Sequence, residues 1–218
     1  MIGEGVSYLA VVALVITTLF LLLSQNWRWS VIALAVQYLA VFALVVQVWP
    51  LGLAAVKLIA GWMAGAVLSY SQPNPDMVKD THGAATGFIF RLLVAVLVWL
   101  LVFTLTPAVV GILPLPAPLV TGAMLLIGMG LIHLGMTTRP LRVMIGLLTT
   151  LAGFELLYAA VETSVLVAGL LAMVTLGLAL VGAYLLDSLS TGRDGAADDT
   201  GLADSATVIA GAGEEDIL

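Results

Sequence analysis

The amino-acid sequence predicts an all-α integral membrane protein of about seven transmembrane helices, on three observations. Of its 218 residues 62% are hydrophobic and 9% charged, against roughly 45–50% apolar and about 25% charged in an ordinary soluble domain. Seven basic and thirteen acidic side chains cannot cover a water-soluble body of this size, which leaves lipid as the solvent. The apolar residues fall into seven runs, each near the ~20 residues that a spanning helix needs. Finally, the basic residues gather at alternate breaks between those runs, as they do when one side of a membrane collects Lys and Arg.

The breaks are read from clusters of polar residues, glycine and proline. The first helix is expected over about 6–24, ending at Gln25, Asn26, Trp27 and Arg28; the second over 29–48, ending at Trp49 and Pro50; the third over 51–70. A polar loop follows, with Pro73, Pro75, Asp76, Lys79, Asp80 and His82, and separates a front three helices from a back four. Helices four to seven are expected over 87–110, 119–136, 140–160 and 164–186, with a link rich in proline (Pro114, Pro116, Pro118) and Pro140 suited to a first helical position. The N-terminal apolar run lacks the basic stretch of a cleavable signal peptide, so it reads as a retained first helix.

Residues 1–187 thus form a transmembrane domain, and 188–218 read as a disordered acidic tail, being small, acidic and rich in Gly and Ala. Seven of the thirteen acids lie from Asp194 onward, with Asp187 just before them. The net charge of −6 therefore describes a solvated appendage on a nearly neutral body, and no basic face for nucleic acid is expected. With no cysteine, disulfides, thiolate metal sites and iron–sulfur ligation are excluded within this chain.

Seven crossings with the N-terminus outside and the C-terminus cytoplasmic place Arg28, Lys79, Arg91, Arg139, Arg142 and Arg193 on the cytoplasmic side, leaving Lys57 within the third helix. A charge in hydrocarbon costs about 2.5–3.5 kcal/mol on insertion scales, so it is a functional candidate by default. Lys57 and Glu155 sit at similar depth, near the outer ends of helices three and six. They are expected to form a proton path or an intramembrane ion pair; the bland readings are a pair that only fixes helix packing, or a Lys57 that snorkels to water. Glu162 reads as a solvated loop acid, or as an extension of the path if helix six continues that far.

Gln37 and Gln47 call for interhelical hydrogen bonds. His133, alone near the inner end of helix five, reads as a satisfied interfacial residue, and no second His or Cys lies nearby to make a metal or haem site. Gly61 and Gly65 form a GxxxG spacing, and Gly128, Gly130 and Gly135 give helix five small faces. Trp27, Trp29 and Trp49 read as interface anchors. No nucleophile and base constellation or phosphate loop is recognisable.

Several local patterns resemble component E of hydrogenase-4-type complexes, a membrane subunit related to the K subunit of respiratory complex I and the C subunit of multisubunit cation antiporters. Arg28, Ser30 and Gln37 are similar to that family's Arg-x-Ser and following Gln; Lys57 looks like a family lysine. The stretch from Leu131 through His133, Arg139 and Arg142 to Gly146 is similar to the helix, basic cytoplasmic turn and Ile-Gly helix start of K-type subunits. The resemblance spans about residues 6–187. The chain departs from it where K-type subunits carry two glutamates: Leu148 and approximately Met173 stand there.

The resemblance implies a non-catalytic subunit, not an enzyme by itself, of a complex I-like or energy-converting hydrogenase-like oxidoreductase assembly in the cell inner membrane. Such a subunit supports coupling of electron transfer to proton or sodium translocation. It implies no cofactor in this chain, and partners comprising the lipid bilayer and antiporter-like and hydrogenase-like or quinone-site subunits. The alternatives are a structural or assembly subunit without an ion path, or a small self-contained transporter; inverted repeats and broken helices, the usual signs of the last, are not clear.

Overall fold

In a computed structural model of the chain, residues 2–24, 26–71, 84–112, 115–137, 139–161 and 164–212 are described, side chains excepted at 2–4, 84–86 and 189–212. The polar loop with Lys79 and His82 and the loop acid Glu162 lie outside the described residues. The described chain is all helical: α1 (Ile2–Leu23), α2 (Trp27–Val45), α3 (Leu51–Tyr70), α4 (Ala84–Ile112), α5 (Ala117–Gly135), α6 (Pro140–Val161) and α7 (Val165–Ala212). Each of the seven contains a segment long and apolar enough to cross a membrane; in α7 it is Val165–Ser188.

Proline sets several helix starts. Pro50 and Pro116 stand at the residues before α3 and α5 with φ of −57° and −58°, values the pyrrolidine ring imposes anyway. Pro140 opens α6, where a missing N–H costs nothing. At its far end α7 runs past the end expected near Leu186 and continues to Ala212. After Pro140 the sequence holds no further proline and many alanines, so no backbone breaker interrupts the helix despite its glycines.

The helices do not segregate into a front three and a back four. Each front helix packs against a back one, α1 on α5, α2 on α6 and α3 on α7, so the two parts interleave in one bundle. The α5–α6 pair is the most extensive contact, and α4 packs on α5 and α1 at the edge. One apolar core gathers Leu14, Leu44, Leu125 and Leu126; a second gathers Leu34, Leu68, Ile145 and Leu148. Outward faces carry large apolar side chains such as Leu9, Leu100 and Leu166, as lipid-facing surfaces do.

Glycine brings α5 and α6 together. A Cβ on Gly153 would lie 2.7 Å from the Ala123 carbonyl oxygen and 2.8 Å from the Ile127 nitrogen. A Cβ on Gly130 would lie 2.7 Å from the Thr150 nitrogen. Backbone stands against backbone here, and no side chain can move aside to make room. Gly153→Val should therefore force the two helices apart, at an expected cost of about 1–3 kcal/mol or more. Thermal unfolding in detergent should show a lowered midpoint for Gly153→Val and almost none of that loss for Gly177→Ala, where an added Cβ meets nothing within 4 Å.

Candidate functional site: a buried ion pair between helices

Lys57 lies in the second turn of α3, and Glu155 lies six residues before the end of α6. Because α3 begins and α6 ends at the same face of the bundle, the two charges meet. The Lys57 ammonium donates to Glu155 Oε2, and the pair is nearly sealed, with side-chain exposures of 9% and 4%. Lys57 turns into the bundle instead of snorkelling outward.

A third helix completes the site. Thr175 of α7 places its Oγ1 3.0 Å from Glu155 Oε1 and 3.0 Å from the Leu171 carbonyl oxygen. Its single proton serves one acceptor at a time. Both carboxylate oxygens of Glu155 therefore have a donor within reach, the arrangement a buried anion requires. Beside the pair runs a narrow cleft lined by Trp49, Leu53, Ala168 and Leu171. Trp49, expected as an interface anchor, is instead buried at 5% exposure, because the turn after α2 folds its indole into the core.

Further polar groups line the bundle toward the opposite end. The Tyr38 ring seats on Gly61, one turn along α3 from Lys57, where any Cβ would collide with it. Its buried hydroxyl, within electrostatic reach of Glu155, has no hydrogen-bond partner among the described residues. Gln37, fully buried, donates from Nε2 to Thr149 Oγ1 of α6 at 3.3 Å, and its Oε1 has no partner among the described residues. Gln47 makes no interhelical bond among the described residues: α2 ends at Val45, and the exposed amide turns back to the Ala43 carbonyl at 3.2 Å.

The remaining sequence candidates lie at the other end. Arg142 donates from Nη2 to the Ser24 carbonyl at 2.9 Å, satisfying an orphan acceptor just past α1. The Arg28 guanidinium lies over the Trp27 ring, 5.4 Å from its centroid. Arg139 stands partly exposed in the link before α6. His133 is buried, but it is not satisfied: Nε2 has no partner among the described residues.

Leu148 is buried in the apolar core and Met173 faces outward at 74% exposure. Sequence reasoning missed Thr175, Tyr38 and Thr149 as site neighbours. Thr175 had a signal, as the only hydroxyl side chain between Val165 and Tyr184; Tyr38 was marked only by standing next to Gln37.

No family model, curated protein or solved structure matches the chain. By the length and composition of the seven helices among the described residues it is a multi-pass membrane protein in contact with the lipid bilayer.

Removing one member of a buried pair strands the other charge, at a typical cost of about 3–5 kcal/mol, whereas replacing both by apolar groups is often neutral. Lys57→Met and Glu155→Leu should each lower the thermal midpoint in detergent. The double variant should recover most of the loss; a double variant as unstable as the sum of the singles would show that the two side chains do not act as a pair.

Proposed function

We propose that the chain is a non-catalytic membrane subunit of a complex I-like or energy-converting hydrogenase-like assembly, where it supports coupling of electron transfer to proton or sodium movement. The observation that carries this reading is the Lys57–Glu155 pair with Thr175, set inside a spanning bundle, where ionisable groups are expensive and tend to serve transport. The resemblance to component E and K-type subunits supports the same reading. Redox cofactors reside in partner chains, and the chain itself catalyses no reaction. In this role the pair exchanges protons through polar neighbours: Thr175 beside it, and Tyr38 and Gln37 deeper in the bundle.

The orientation in this proposal follows the basic residues, with the N-terminus outside and the tail cytoplasmic. Because the chain has no native cysteine, single introduced cysteines report it without background. In intact cells a membrane-impermeant maleimide should label Ile112→Cys, and should label Thr137→Cys only after permeabilisation.

A second reading, a structural or assembly subunit without an ion path, draws on Leu148 and Met173, which leave the two K-type glutamate positions apolar. Two measurements separate the readings. Purification of the tagged protein in mild detergent should bring down antiporter-like and hydrogenase-like or quinone-site chains under the first. In that assembly, Glu155→Gln should reduce ion pumping several-fold while the subunits remain together; unchanged pumping would leave the pair with a purely structural role.

A further inference from the structure

A second cleft opens at the end of the bundle opposite the Lys57–Glu155 pair. Leu22 of α1, Arg91 of α4, His133 of α5 and Arg142 of α6 line it, together with Met136 and Thr137 just past the end of α5. Three features make it a receptor for an anion. Two arginines from different helices line it, near enough that Arg142 feels the like charges of Arg91 and Arg139. No acidic side chain lines it among the described residues. His133, at 7% exposure, lines it too; its buried Nε2 has no partner among the described residues, and in its Nε2–H tautomer that atom is a donor.

The surroundings narrow the anion to one attached to a lipid. Leu22 stands one residue before the end of α1, His133 two before the end of α5, and Arg142 at the third residue of α6, so the cleft lies where hydrocarbon gives way to headgroups. Arg91 is carried by α4, whose neighbouring side chains Phe88, Ile89 and Leu92 are exposed and apolar. A phosphate in the cleft would thus have an apolar helix face beside it along which its acyl chains could lie. Basic pockets between membrane helices bind anionic headgroups in this manner.

We propose that this cleft binds the phosphate of an anionic phospholipid. Arg91 and Arg142 accept its charge, the latter with the N–H groups not engaged by Ser24, and His133 Nε2–H donates to a phosphate oxygen. The site is independent of the ion pair and of the assembly in which the chain resides.

The test is native mass spectrometry of the detergent-purified protein titrated with phosphatidylglycerol, phosphatidylcholine or inorganic phosphate. Arg91→Gln is the informative variant, because Arg91 makes no hydrogen bond or ion pair among the described residues, whereas losing Arg142 would also remove the bond to Ser24. Phosphatidylglycerol should bind stoichiometrically and more tightly than phosphatidylcholine. Arg91→Gln should weaken it about fivefold, the loss expected from one basic group near the membrane surface, and His133→Phe should weaken it as well. Equal binding of the two lipids, or undiminished phosphatidylglycerol binding by Arg91→Gln, would overturn the proposal. Competition by inorganic phosphate at the same concentration as the lipid would overturn its assignment to a lipid.

Discussion

Withdrawing an ammonium and a carboxylate from water costs several kcal/mol for each ion, and the Lys57–Glu155 pair imposes that cost on three helices at once. The charges compensate each other only while α3 and α6 hold their relative depth, and Glu155 keeps its second donor only while α7 presents Thr175. Rotation of α3 or α6 by a quarter turn would strand a charge, and rotation of α7 would take from Glu155 its second donor. Ordinary apolar contacts tolerate such slippage, because between membrane helices and lipid tails there is little difference in hydrophobicity. The pair thus supplies register to a bundle whose apolar surfaces alone specify it weakly.

That register depends in turn on backbone proximity elsewhere. The glycine contacts of Gly130 and Gly153 draw α5 and α6 together, and α6 is the helix that carries Glu155 and Thr149. Seating Tyr38 on Gly61 does the same for α2 and α3. Small residues therefore act at the site indirectly, by setting how near the polar side chains of one helix come to those of the next. Gln37 Oε1 and the Tyr38 hydroxyl, both buried, have no partner among the described residues: in an all-helical bundle the backbone N–H groups are engaged within their own helices, so an amide oxygen turned between helices meets few donors.

The helices themselves were legible because lipid demands a long apolar run and each interruption is written in Pro, Gly or charge. The similar depths of Lys57 and Glu155 were legible too, since position along a helix converts directly to height. Which helices would touch was not. The interleaving of α1 with α5, α2 with α6 and α3 with α7 depends on which face each helix turns inward, and helices that are apolar all round carry little periodicity to reveal it. For that reason Thr175 could not be assigned to Glu155, nor Trp49 to the core, where a tryptophan near a helix end looked like an anchor. His133 gave no such signal either, because a paired imidazole and one whose Nε2 has no partner among the described residues have the same sequence signature.

The interleaved order has a consequence for synthesis. Lys57 precedes Glu155 by 98 residues, so at translation speeds of roughly 5–20 residues per second the lysine leaves the ribosome about 5–20 s before its partner exists. Throughout that interval α3 is a helix with an uncompensated cation, reluctant to settle fully in lipid, and α1, α2 and α3 lack the surfaces they finally pack against. The final seating of α3 in the bundle therefore waits on the synthesis of α6 and α7, which supply its counter-charge and its packing partner.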